Sequence, residues 1–392
     1  MDTFSYLLYT PHDEPAVLTS VSPSETEAVQ RFHRGLPGYA PTPLICLPAL
    51  AARLKLGAVW VKDESGRFGL NSFKALGGSY AIARYLCEKL GIPVDEQAFT
   101  RLLTPEARQK LGQITFITAT DGNHGRGVAW SARMLGHRSV VYLPKGSARE
   151  RLENIRAQGA QAEITDMNYD DTVRMAARTA EENGWVLIQD TAWPGYEDVP
   201  THVMQGYSTL ARESIAQAPD RPTHLFLQAG VGSMAGAVAG YFAALYGTKR
   251  PVTVIVEPDK ADCLYRTAQA DDGTLHIVTG HMNSMMAGLC CGEPCTVSWD
   301  ILRVCSDAYI SCADAYSAQG MRLLGLPEGG DPAITSGESG AVTLGVLAAI
   351  MTEGRLEPLR RALGLDENAR VLLLSTEGDT DRANYRRIVH GS

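Results

Sequence analysis

The sequence predicts an α/β protein: two open, mostly parallel twisted sheets flanked by helices, with a small domain inserted into a large one. Three observations carry that expectation. Short strands alternate with helical segments of roughly 10–15 residues, the pattern of parallel βαβ units. The strands are near-continuous apolar runs, as required where helices cover both sheet faces. One block of units, residues 85–190, interrupts the rest, leaving 1–84 and 191–392 as the two parts of the large domain.

Taken in order, a polar, proline-bearing arm leads to residues 58–62, which read as a strand of alternating burial. From 72 to 90 apolar residues fall at helical spacing, with Gly91 and Pro93 as stops. Residues 95–112 are charged and helical in character, a surface insertion. Strands follow at 114–118, 139–143, 162–165 and 185–189. Helices between them run 123–135 and 147–158, with a third ending at Asn183-Gly184. The alternation resumes with strands 223–227 and 252–256 on either side of a helix after Gly232. It closes with a helix over 340–353 and a strand over 370–374.

At 392 residues there is ample length for a core in each of two domains. A formal net charge of -8 argues against nucleic-acid or anionic-membrane surfaces, which need a basic face. The N-terminus, Met1-Asp2-Thr3-Phe4-Ser5-Tyr6, lacks the basic-then-apolar pattern of a signal peptide. The longest apolar stretch, 234–247, is too short to span a bilayer and reads as a buried helix. Eight cysteines without regular spacing point to a reducing, cytoplasmic setting. Cys290-Cys291 and Cys295 lack a second ligand pair at zinc spacing, so no metal is expected. A pairing of Cys263 with Cys290 or Cys291 stays open.

Four short segments carry chemistry: Asn71-Ser72-Phe73-Lys74, Asp121-Gly122-Asn123-His124-Gly125, Gly230-Val231-Gly232-Ser233-Met234 and Ser375-Thr376-Glu377-Gly378. They offer an amine, an amide with a carboxylate, a glycine loop of phosphate size before a helix, and a hydroxyl pair after an apolar strand. Together these are the fittings that hold pyridoxal phosphate as a Schiff base. Each has a plainer reading by itself. Lys74 alone reads as a solvated surface residue, Asp121 and Asn123 as helix caps, and the glycine loop as a close-packing turn. The loop also admits a dinucleotide reading, with Ala235 in the third glycine's place and Glu257 after the next strand. His124 reads as structural. An ammonium at a helix start opposes the dipole, so Lys74 is expected to have a lowered pKa. Asp190 ends the strand 185–189, well placed for a pocket and equally for a turn. Gly337-Glu338-Ser339-Gly340 reads as a further wall or as a helix cap.

The chain resembles the fold type II, tryptophan-synthase-β-like family of pyridoxal phosphate enzymes. The likeness rests on Ser72-Phe73-Lys74, Gly122-Asn123-His124-Gly125 and the mid-chain glycine loop, in that order. Within that family it is most similar to the diaminopropionate ammonia-lyases over nearly its whole length. That likeness adds Arg67-Phe68-Gly69-Leu70-Asn71, Gln189-Asp190-Thr191-Ala192-Trp193, Met286-Ala287-Gly288-Leu289, Cys291-Gly292-Glu293-Pro294 and Asp379-Thr380-Asp381. The resemblance implies elimination of 2,3-diaminopropionate to pyruvate and two ammonia, through aldimine and aminoacrylate. It implies Lys74 for the aldimine, Asn123 for the ring oxygen, Gly230, Val231, Gly232, Ser233 and Met234 around the phosphate, and Ser375 or Thr376 for the ring nitrogen. Asp121 and Asp190 become the distinguishing acids, and a homodimer is expected. Leaving-group chemistry agrees: a β-amine departs as ammonia only from an ammonium, which two carboxylates keep protonated. Action on both D- and L-substrates is the corollary. The rivals are a serine or threonine dehydratase and a β-replacement synthase of the same fold, and, outside enzymes, a cofactor-free α/β binding module.

Overall fold

The computed structural model describes residues 3–391, so Met1 and Asp2 of the N-terminal arm lie outside the described residues. Eleven strands make two sheets: β1 (Phe4–Leu8), β2 (Leu44–Cys46), β3 (Ala58–Asp63), β4 (Thr115–Ala119), β5 (Arg138–Leu143), β6 (Gln161–Ile164), β7 (Val186–Leu187), β8 (His224–Gln228), β9 (Val252–Pro258), β10 (Ala308–Cys312) and β11 (Arg370–Ser375). The larger runs β1-β10-β9-β8-β11-β3-β2, and the smaller runs β6-β5-β4-β7. All pairings in the small sheet are parallel. In the large sheet only the edges are antiparallel, where β1 meets β10 and β2 meets β3. The mostly parallel α/β architecture expected from the alternation is therefore observed.

From β8 the chain runs outward to β9 and β10 on one side, then crosses back to insert β11 on the other side of β8, and residues following both strands line a crevice at their carboxyl ends. The carboxyl ends of β4 and β7 face the same crevice, since Asp121, Asn123 and Asp190 line it together with residues after β3, β8 and β11. One apolar cluster joins the layers, from Phe116 and Ile188 through Leu76 and Val128 to Leu225 and Leu372. The helices Ala75–Leu90 and Asn123–Met134 cross where a Cβ on Gly127 would come 2.9 Å from the Ala75 nitrogen. That contact brings the starts of the two helices, and hence Lys74 and Asn123, to one place.

Several expectations need correction. β3 is buried from Val59 through Lys62 rather than alternating, because it is an interior strand covered on both faces. The helix expected from 72 begins at Ala75, leaving Ser72-Phe73-Lys74 free to line the crevice. The 95–112 segment is helical, as Ala98–Leu102 and Pro105–Leu111, but Phe99 and Leu102 are buried, so it is no mere surface insertion. The strand expected over 185–189 pairs only at Val186–Leu187. The helix Asp198–Gln217 went unread although it has 20 residues. Its buried face carries Ser208, Thr209, Glu213 and Ser214, which break the apolar periodicity. All eight cysteines are free, so the pairing left open for Cys263 is not made.

Candidate active site

Lys74 sits at the end of a bent segment. Phe68 (φ 50°) and Asn71 (φ 56°) both adopt left-handed backbone, which a phenylalanine rarely does. The segment is held by Phe73 N donating to Thr376 O at 3.2 Å and Gly378 N donating to Asn71 O at 3.1 Å. This bend turns Lys74 into a cleft that Asp121, Asn123, Asp190 and the glycine loop also line. There its Nζ lies 2.6 Å from Asp190 Oδ2, over the rings of Phe73 and Tyr207 at 5.5 and 5.6 Å.

The electrostatics differ from the sequence expectation. Burial alone would depress the Lys74 amine, but Asp190, Tyr207 and Asp121 outweigh it and hold the pKa above its ordinary value. Burial likewise works against the Asp190 carboxylate, yet neighbouring His124 and Lys74 pull it well below the usual range. Lys74 and Asp190 thus form an ion pair here. Tyr169 Oη donates to the other Asp190 oxygen at 3.3 Å. His124 is buried and bonded through Nε2 to Ile188 O at 2.8 Å, while its Nδ1, 3.8 Å from Asp190, has no hydrogen bond. Its reading as structural is incomplete, because it also faces the pocket acid.

Asp121 stands on the opposite wall. A buried guanidinium backs it: Arg151 Nη1 lies 3.4 Å from Asp121 Oδ2 and 3.2 Å from its carbonyl oxygen. Neither Asp121 nor Asn123 caps the following helix; the cap is Gly122, with no side-chain hydrogen bond. The capping alternative for both residues is thereby removed. Asn123 instead gives its Nδ2 to Glu377 Oε2 at 2.6 Å.

The glycine loop lies at the end of β8. Gly232, with φ 102°, turns the chain into the helix Ser233–Tyr246, whose first N–H groups have no partner within the helix. Such an N-terminus favours an anion by charge and by geometry. Ser233 Oγ donates to Asp190 O at 2.5 Å, fixing loop to acid. Glu257, the carboxylate of the dinucleotide reading, is buried and accepts from Leu264 N and Tyr265 N at 2.9 and 2.6 Å. Those bonds commit it to a helix start, and that reading loses its ribose partner.

Gly230, Val231, Gly232, Ser233 and Met234 all line the cleft, with Lys74, Asp121, Asn123, Asp190 and Thr376. Ser375 does not line it; its Oγ is buried without a hydrogen-bond partner. Thr376 Oγ1 accepts from Gln228 Nε2 at 2.9 Å. Ser339 lines the cleft and Gly337 is the cap of the helix Glu338–Thr352, so the wall and cap readings of that segment hold together. Sequence reasoning missed Tyr169, Arg151 and Gln228, which carry no motif, and gave Glu377 no role. Tyr169 had one signal, its place at the start of the helix after β6.

The family described as pyridoxal-phosphate dependent enzyme matches residues 36–376. A diaminopropionate ammonia-lyase of Salmonella typhimurium is 51% identical over 379 residues, covering 95% of this chain and 94% of the relative. One from Escherichia coli K12 is 50% identical over 372 residues, covering 94% and 92%. A crystal structure of the Escherichia coli diaminopropionate ammonia lyase, in complex with an aminoacrylate-PLP azomethine reaction intermediate, superposes with a TM-score of 0.90 at 46% identity. It covers 100% of this chain and 98% of that one. The threonine deaminase of Solanum lycopersicum shares the fold, at TM-score 0.73 and 17% identity over 98% and 96%.

Proposed function

Because the chain belongs to the pyridoxal-phosphate dependent enzyme family, within its diaminopropionate ammonia-lyases, we propose that Lys74, Asp121 and Asp190 are its catalytic residues. The cofactor is pyridoxal phosphate, and the reaction is elimination of ammonia from 2,3-diaminopropionate, giving pyruvate and two ammonia.

The residues present fit that cofactor. An amine, an anion-binding helix start, an amide and a hydroxyl share one cleft, and the Ser339 hydroxyl that lines it is buried with no protein partner. When bound, pyridoxal phosphate supplies an electron sink for the bonds broken at the substrate. The N–H groups of Gly230 to Met234 would hold the phosphate, the Asn123 amide would meet the ring oxygen, and Thr376, the member of the hydroxyl pair that lines the cleft, would serve the ring nitrogen. A neutral hydroxyl there keeps that nitrogen weakly basic, which suits elimination.

Asp190 has a double task. It holds Lys74 Nζ at 2.6 Å, and with that amine committed to the cofactor the Asp190 carboxylate would be free to pair with the substrate's β-ammonium. That partner exchange refines the idea of two waiting carboxylates, since both are paired here, Asp190 with Lys74 and Asp121 with Arg151. Keeping the β-amine protonated makes it a leaving group. Lys74 moves the Cα proton on one face and Asp121 on the other, so both D- and L-substrates are processed.

The reading extends to a cytoplasmic homodimer and to a division into 1–84 with 191–392, and 85–190. The division is supported by a second sheet drawn wholly from strands between 115 and 187. No nucleic-acid or membrane partner is invoked, in keeping with the net charge of -8 and with no described helix being long and apolar enough to cross a membrane.

The observation that carries this reading is Lys74 paired to Asp190 opposite Asp121 in the cleft that the glycine loop closes. The test is a substrate panel on the cofactor-loaded protein. Both enantiomers of diaminopropionate should give two ammonia per pyruvate and outpace serine and threonine. One ammonia per oxo acid, formed faster from serine (as pyruvate) or from threonine (as 2-oxobutanoate), would make the protein a dehydratase.

A further inference from the structure

Glu377 directly follows the hydroxyl pair at the end of β11, is 2% exposed, and lines the cleft. Its Oε2 accepts from Asn123 Nδ2 at 2.6 Å and from Thr380 Oγ1 at 3.1 Å, and its Oε1 accepts from Ser339 N at 3.2 Å. Its main chain is tied as well: Gly337 N donates to Glu377 O at 2.9 Å, and the residue bridges to Ser72. One side chain therefore links the start of the Asn123 helix, the start of the Ser339 helix and the end of β11, beside the strap that carries Lys74.

We propose that Glu377 is a positioning residue that fixes the Asn123 amide as a hydrogen-bond donor toward the cofactor's ring oxygen. An amide can present either its oxygen or its NH₂ to a neighbour. A carboxylate only accepts, so Glu377 admits the NH₂ alone, and the second N–H then has a set direction in the amide plane. The short, charge-assisted contact makes the alternative orientation costly, because it would set two oxygens against each other in a buried site. Three donors satisfy the carboxylate where it lies, which holds it still. A glutamine at 377 could donate or accept, and the lock would be lost.

The inference rests on Asn123 meeting the ring oxygen, and a double-mutant cycle separates the two ideas. Apo protein is titrated with pyridoxal phosphate, reading the dissociation constant from the visible absorbance and ring orientation from the visible circular dichroism. Asn123→Ala and Glu377→Gln should each weaken binding about tenfold and alter the dichroism, the size expected for one charge-assisted bond. In the Asn123→Ala background Glu377→Gln should add nothing. Additive effects, or wild-type readouts for Glu377→Gln beside a shifted Asn123→Ala, overturn the proposal. Wild-type readouts for Asn123→Ala refute the ring-oxygen reading itself and the proposal with it. Should Glu377→Gln not fold, the same cycle is run with Glu377→Asp, which keeps the charge but shortens the reach; additivity there overturns the proposal equally.

Discussion

Lys62 Nζ lies 2.7 Å from Glu213 and Lys74 Nζ lies 2.6 Å from Asp190, yet the two surroundings differ in every other respect. Around Lys62 all three ammonium donors are used, by Glu213, Thr42 O and Gln217. Beside it Arg67 is bidentate to both Glu64 and Glu213, and also reaches Ala40 O and Thr42 Oγ1. No polar valence is left over, and nothing could enter. Around Lys74 the pairing is sparse: one carboxylate, two aromatic rings, and unpartnered atoms at His124 and at Ser339 in the same cleft. Burial lowers the Lys62 pKa and Arg67 adds to that, although Glu64 and Glu213 oppose it. At Lys74 burial also lowers the pKa, but Asp190, Tyr207 and Asp121 outweigh it and the amine is raised. Saturated buried charge is architecture, whereas unsaturated buried charge is a place for a ligand.

The largest effect expected from this contrast is at Lys74. Lys74→Ala should abolish the visible absorbance of the cofactor-loaded protein and lower kcat by about a thousandfold or more. Retention of both would erase the distinction between the two lysines.

Glu213→Ala should do the reverse. It strands Arg67 and Lys62 in a dry interior, so urea unfolding should show a loss of about 3–5 kcal/mol. Asp190→Asn removes a carboxylate of the same type from the open cluster and should cost far less in the same experiment while sharply reducing activity.

A smaller effect sharpens the substrate side. Asp121→Asn should lower kcat/KM for diaminopropionate by about 2 kcal/mol of transition-state binding, more for one enantiomer than the other. Serine, which has no second ammonium, should lose less. Equal changes on all substrates would deny Asp121 its role.

An effect of similar size, confined to stability, concerns pH. Burial, and Glu377 beside it, push the Glu338 carboxyl up to about 7. Its folded pKa then exceeds its unfolded one, near 4.3, so the folded state holds the proton more tightly. Stability should fall as pH rises from about 4.3 to 7. Glu338→Gln should remove that slope and gain about 1–3 kcal/mol on the wild type at pH 8. Parallel stability curves for the two proteins would contradict it.

Most of the parallel strands were legible because interior strands are largely apolar, and several helices because they end at glycines such as Gly91 and Gly184; β10 and the helices Cys263–Ala270, Thr296–Cys305 and Asp314–Gly325 around it went unread. The site was legible in its motifs, which the crevice collects from four loops. What escaped was set by tertiary pairing. Arg67 looked like part of a motif, and only the fold shows it closing an ionic cluster with Glu213 from the unread helix. Arg151 lies among exposed charged residues yet is buried, with Gly122 and Asp121 against its side chain. The raised Lys74 pKa could not be foreseen either, since helix-end electrostatics were weighed without knowing that Asp190 would be its neighbour.

The most direct measurement is to reduce the cofactor-loaded protein with borohydride and map the modified lysine by peptide mass spectrometry. The account predicts a phosphopyridoxyl group on Lys74 and an unmodified Lys62. Label on Lys62 or on another lysine, or none on a protein that retains bound cofactor, would contradict it.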